Sequence, residues 1–261
     1  MTTLRLGLAR GGLEIKQFLR SRESVIFTLF FPLLLLVIFG SVFDAEIAPG
    51  VSFTQYFAAG IIAAGLLTTG FQSLAIQIPM EREKGILKRL RGTPMPRTAY
   101  FIGKVVMVVA IGAAETVVLV ATAAAFYDLP VPSTAAKWVT FGWVSLLGIS
   151  ACTLCGIAFS SLARSGRGAP AIVTPVALVL QFISGVFFQY STIPEWMRSI
   201  ASLFPLKWMT QGMRSVFLPD SFAAREVGGA WQLGHVAIVL GAWVIISLVL
   251  CVFTFRWTDR G

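Results

Sequence analysis

The amino-acid sequence predicts an all-α integral membrane protein with six transmembrane helices, and three observations predict it. Apolar residues make up 56% of the 261 positions and charged residues only 13%, a balance that a soluble core does not show. Uncharged stretches long enough to cross a bilayer recur along the chain. The basic residues collect between alternate pairs of those stretches.

The first span, about residues 24–43, carries no charge for 20 positions. At about 1.5 Å per helical residue it matches the roughly 30 Å hydrocarbon core. The second, about 53–80, lies within the uncharged run Ile47–Met80. The third, about 100–127, is interrupted only by Lys104 and Glu115. The others are expected at about 138–163, 169–190 and 233–255. All are expected to be helical, because lipid offers backbone groups no other partner. The first span is too long for a signal-peptide core and no small-residue cleavage site follows it, so it is expected to stay as an anchor.

In residues 1–23, Leu4, Leu8, Ile15, Phe18 and Leu19 fall largely on one helical face, while Arg5, Arg10, Lys16, Arg20 and Arg22 crowd the rest. This is the pattern of an interfacial amphipathic helix; a snorkelling flank to the first span is the plainer alternative. With the N-terminus inside, 16 of the 21 basic residues lie on the inner side, counting Lys104, Arg164, Arg167, Arg256 and Arg260. Lys137, Arg198, Lys207, Arg214 and Arg225 lie outside. The bias puts both termini in the cytoplasm. The net charge of +9 follows from topology and attraction to anionic lipid. No aromatic-interleaved basic groove points to nucleic acid.

Cys152 and Cys155 form a C-x-x-C inside an apolar span, and zinc needs further ligands that the neighbouring sequence lacks. Packing explains them, and the single His235, better than a metal site. Gly148, Cys152 and Gly156 form a small-residue stripe, as do Gly60 and Ala64, and both predict close helix contact. Between the fifth and sixth spans, Ile193, Trp196, Met197, Ile200 and Phe204 recur at helical spacing. After Pro205 come Leu206, Met209, Met213, Val216 and Phe217. Two short re-entrant or extracellular helices are expected there, wherever protein covers their backbone. Pro175 is expected to kink the fifth span.

The densest charge cluster is E-R-E-K-G-I-L-K-R-L-R-G-T-P-M-P-R, Glu81 to Arg97. Glu81 and Glu83 suit the positive end of a helix dipole, and Gly92, Pro94 and Pro96 supply a stop. A short inner helix over 81–92 is expected. Ile86, Leu87 and Leu90 share one of its faces and Lys84, Lys88 and Arg91 another. An ordinary basic inner loop would not expose apolar residues in this way.

That run resembles the E-R-E-x-G-T-L-x-x-L-x-x-T-P signature of the membrane subunits of ABC-2 type ABC exporters, which include bacterial drug and antibiotic permeases. Ser184 with Gly185, Ile193-Pro194-x-Trp196, Pro205-Leu206 and Arg214 follow in the same order. Ile86 stands where the family usually has Thr, which leaves the helix pattern intact. The resemblance covers nearly the whole chain as one domain, 1–261. It implies six spans, an interfacial N-terminal helix and a cytoplasmic coupling helix seated in an ATPase subunit. Glu81, Arg82, Glu83, Gly85, Leu87, Lys88, Leu90 and Arg91 would make that contact.

The chain has no G-x-x-x-x-G-K-[ST]; Gly103-Lys104 follows Thr98 where the first glycine is required. ATP and Mg are therefore expected on a partner, with no catalytic residue, cofactor or metal on this chain. The resemblance further implies a second permease subunit, identical or not, in a bacterial cytoplasmic membrane. It also implies a path between the halves lined by the second and fifth spans. Candidates are Thr68, Thr69, Phe71, Gln72, Gln181, Phe182, Phe187 and Phe188, aromatic and amide groups suited to an amphipathic drug, antibiotic or lipid. Glu115 joins them, since an ionised carboxylate near mid-bilayer costs at least a few kcal/mol unless paired or hydrated. It serves the path, couples helices or is a packing residue bonded to a neighbour. The alternative function is a proton-coupled secondary transporter centred on Glu115. A lipid-modifying enzyme lacks any converging His, Asp or Cys cluster.

Overall fold

The computed structural model describes residues 2–43, 45–163 and 165–255. Arg164, Arg256 and Arg260 of the charge tally lie outside them. Ten helices are labelled here in chain order: α1 Thr3–Arg20, α2 Arg22–Val42, α3 Phe53–Glu83, α4 Ile86–Arg91 and α5 Arg97–Phe126. After these come α6 Ala135–Phe159, α7 Ala169–Ile183, α8 Glu195–Ala201, α9 Pro205–Phe217 and α10 Leu233–Thr254. Among the described residues, α2, α3, α5, α6 and α10 are long and apolar enough to cross a membrane.

The chain is mostly helical, as expected of a membrane bundle, but not purely so. Glu46–Ala48 and Val51–Ser52 form a two-stranded antiparallel hairpin, β1 and β2. Gly50 takes a left-handed conformation (φ 72°) directly after Pro49, the proline–glycine order that a type II turn favours. Ser52 then starts α3 with a capping box: its hydroxyl accepts from the Gln55 N–H, and the Gln55 side chain accepts from the Ser52 N–H.

Helix α3 is the axis of the bundle, packed by α2, α5, α6 and α9. One π turn interrupts it at Thr68–Gln72. The hydroxyl of Thr68 donates to the Ala64 carbonyl and that of Ser73 to the Thr69 carbonyl, local bonds that accompany helix distortion. The widened turn brings its backbone onto α6: a Cβ on Gly156 would lie 2.6 Å from the Phe71 carbonyl oxygen. The small-residue stripe of α6 therefore has two uses, since Gly148 meets Met209 of α9 while Cys152 and Gly156 meet the π turn.

Helix α7 is shorter than the expected fifth span. It stops at Ile183 because Gly185 (φ 75°) reverses the chain and Val186 N–H bonds back to the Gln181 carbonyl, the Schellman arrangement. Beyond it, α9 lies wholly inside the bundle, covered by α3, α6 and α10. Its Arg214 is enclosed: the guanidinium stacks 3.7 Å over Tyr56, donates to the Gly185 carbonyl and lies 3.6 Å from Glu226.

Candidate functional site

The charged loop folds as an elbow. Helix α3 continues through Glu83, Gly85 takes the left-handed region (φ 70°), and α4 begins at Ile86. Glu81 and Glu83 thus close α3 and do not open the short helix, which corrects the expected placement at a positive dipole end. A glycine at this bend is what allows the chain to turn without Cβ strain.

The apolar face of α4 is spent inside the chain. Leu87 is fully buried in the main core, and Ile86 and Leu90 are half-buried. This overturns the expectation of an exposed apolar patch in the loop. What α4 presents outward is Lys88, Arg89 and Arg91, with Lys84 before it and Gly92 to Pro94 beyond. A shallow pocket of about 230 Å³ lies between Leu90, Arg91 and Arg97.

Glu81 turns into the protein. Its carboxylate accepts from the Tyr100 hydroxyl at 2.8 Å and the Lys104 ammonium at 2.6 Å. Lys104 also binds Glu14 at 3.0 Å, and Glu14 is held by Arg10 at 2.6 Å and by the Gln77 amide at 3.2 Å. Side chains of Lys104 and Glu14 are fully buried. Two cations and two carboxylates thus knit α1, α3 and α5 at the end of the bundle that carries the elbow. Glu14 escaped sequence reasoning, which saw α1 as an apolar and a basic face. The helix has a third face, Gly7, Gly11 and Glu14, pressed on α5: Cβ atoms on the two glycines would lie 2.5 Å from Ile102 and 2.6 Å from Val106. Of the expected apolar face, Leu4, Leu8 and Leu19 stay exposed.

Glu83 takes a different course. One carboxylate oxygen accepts from the N–H groups of Gly166 and Arg167 in the loop before α7. Arg82 and Gly85 are half-buried.

The path candidates separate into two groups. Thr69, Phe71, Glu115 and Phe187 are buried inside this chain. Thr69 donates to Glu115 at 2.6 Å, Phe71 meets Phe159 edge-on, and Phe187 packs with Phe39, Phe57 and Phe182. Glu115 presses its carboxyl on Gly65, where a Cβ would lie 2.5 Å from Oε1. These contacts pack helices of this chain against one another. Thr68, Gln72 and Gln181 are part-exposed, and Phe182 and Phe188 exposed. The Gln72 amide donates to Thr174 across α3 and α7 at 3.3 Å. Phe182 and Phe188 border an apolar groove of about 330 Å³ with Ile193 and Met197.

A protein-family model described as ABC-2 type transporter matches residues 12–218. The chain belongs to the ABC-2 type transporter family. Individual relatives agree. Over 84% of this chain and 79% of its own length, ycf38 of Porphyra purpurea, named as a transport permease, is 24% identical. The inner membrane transport permease YadH of Escherichia coli is 23% identical over 70% of each chain. YbhR of Escherichia coli, named as a multidrug ABC transporter permease, is 22% identical over 72% of this chain and 50% of its own length. The ABC-2 chain described here is therefore a multi-pass transport permease, of a family whose membrane subunits work with an ATP-binding cassette subunit.

Proposed function

We propose that this permease is the membrane-spanning half of an exporter that moves a hydrophobic or amphipathic molecule, drug, antibiotic or lipid, out across a bacterial cytoplasmic membrane. ATP hydrolysis takes place on a separate subunit that seats on α4. The observation carrying this reading is the elbow: a six-residue helix, anchored by buried Leu87, that exposes Lys88, Arg89 and Arg91, with Lys84 exposed just before it. Both termini are cytoplasmic by the positive-inside bias, and α1 lies along the inner surface with Leu4, Leu8 and Leu19 toward lipid. Helix α7 is the sixth crossing, completed by residues 184–189, of which 184–187 are buried.

Two permease subunits, identical or not, face one another across the part-exposed Thr68, Gln72 and Gln181 and the exposed Phe182 and Phe188. Glu115, enclosed with Thr69 and Gly65, serves packing in this reading and not proton transport. Co-purification with the ATP-binding subunit tests the seat. Lys88→Glu with Arg91→Glu is expected to weaken recovery of the complex by about tenfold or more, with loss of its salt dependence. Undiminished recovery counts against the seat. Export that persists under ATP depletion but collapses with a proton uncoupler would restore the Glu115 carrier.

A further inference from the structure

The last turn of α3 sends two carboxylates to different bodies. Glu81 is bonded to Lys104 and Tyr100 of α5 and, through Lys104, to α1. Glu83 instead reaches the loop before α7, where one oxygen accepts from Gly166 N–H at 2.5 Å and Arg167 N–H at 3.3 Å. The Arg167 guanidinium lies 3.9 Å away on a side chain that is 95% exposed. Such an exposed ion pair holds little; the charge-assisted backbone bonds carry the contact.

Close approach of two backbones reinforces it. A Cβ on Gly166 would lie 2.6 Å from the Cα of Met80 and 2.9 Å from the Glu83 carboxylate. From there the chain turns directly into α7, with Ser165 accepting from Gly168 and Ala169 N–H groups. Helix α7 is otherwise held along one face only: Val173, Ala177 and Leu180 are buried and the Gln72 amide reaches Thr174, while Ile172, Val176, Leu178, Val179 and Phe182 are exposed. It also carries Pro175, which removes one backbone bond and lets a helix bend.

We infer that Glu83 is a positioning residue that passes displacement of α4 to α7, acting as a pin inside the permease and not as a contact on the ATPase subunit. The inference rests on the reading of α4 as the ATPase seat. It divides the work of the elbow: Glu81 holds α1 and α5 as the fixed body, and Glu83 draws the helix bordering the exposed aromatic groove.

The test uses the complex with its ATP-binding subunit in lipid nanodiscs, with Cys152, Cys155 and Cys251 replaced and spin labels introduced in separate samples. The pair Thr93→Cys and Leu146→Cys reports the end of α4 against α6 from an exposed position outside the basic face; Ile172→Cys and Leu146→Cys reports α7. Distances are compared without nucleotide and with ATP and vanadate. Both pairs are expected to shift in the parent protein. In Glu83→Ala the α4 shift is expected to remain while the α7 shift falls to less than about half. Glu83→Gln, which keeps an acceptor oxygen, and Arg167→Ala are expected to behave as the parent. A full α7 shift in Glu83→Ala overturns the inference, as does Arg167→Ala reproducing its loss. Should Glu83→Ala fail to assemble, Glu83→Asp decides, since its shortened side chain falls short of the two N–H groups; a parent-sized α7 shift there also overturns it. If neither pair shifts in the parent, the α4 seat is what fails, and the pin goes with it.

Discussion

Replacing Lys104 with methionine removes the cation shared by Glu14 and Glu81 while keeping most of the side-chain volume. In the native cluster Arg10 and Lys104 balance the two carboxylates; Lys104→Met leaves one buried negative charge uncompensated. Removing one partner of a buried pair costs about 3–5 kcal/mol. The low end applies here, because Glu14 keeps Arg10 and Gln77, and Glu81 keeps Tyr100. The expected loss is about 3 kcal/mol, roughly a hundredfold in the folding equilibrium. Reversible unfolding by sodium dodecyl sulfate in mixed micelles, followed by tryptophan fluorescence, measures it. Adding Glu81→Gln restores neutrality and keeps an acceptor for Tyr100, so the double variant is expected to recover most of the loss. A single variant costing less than about 1 kcal/mol, or a double variant less stable than the single, would refute the charge argument.

Gly156→Ala is expected to destabilise by about 1–3 kcal/mol, because its methyl meets the fixed backbone of the π turn and no side chain there can yield; the same unfolding titration reads it. Thr69→Val removes a partner of buried Glu115 at nearly constant shape, with an expected loss of about 1–3 kcal/mol that Glu115→Gln relieves. Arg214→Ala leaves Glu226 unpaired and strips Tyr56 of its stacked cation, so about 3–5 kcal/mol is expected. Arg214→Lys is expected to rescue it poorly, since an ammonium cannot both stack and reach the Gly185 carbonyl.

Hydropathy was sufficient to read the bundle, since segments that leave water must be long, apolar and helical. It was not sufficient to find the end of α7, where a single left-handed glycine overrides an apolar run that continues to Tyr190. The elbow shows the same division. Charge and helix-stopping residues marked Glu81 to Arg97, but pattern alone tells which residues share a face, not which element covers that face. Hence Leu87 reads as exposed and is buried, and the bond of Glu81 to Lys104 goes unread. The cluster around Lys104 joins residues 23 and 90 positions apart. Its one sequence trace was a pair of opposite charges, Glu14 and Lys104, each at a position flanked by apolar or small residues. The small-residue stripe of α6 was legible as a contact surface, because glycine at helical spacing has few other uses; its two separate partners were not.

The burial of α9 bears on how the protein is made. Every residue of that helix is covered, Lys207, Gln211 and Arg214 included, yet α10, which forms part of the cover, is synthesised later. The emerging chain must therefore hold a helix with two cations only partly covered until Leu233–Thr254 has been inserted. Final docking of α9 is a late, post-insertional event, and chains arrested before α10 are expected to be recognised as unfinished by the membrane's quality-control proteases.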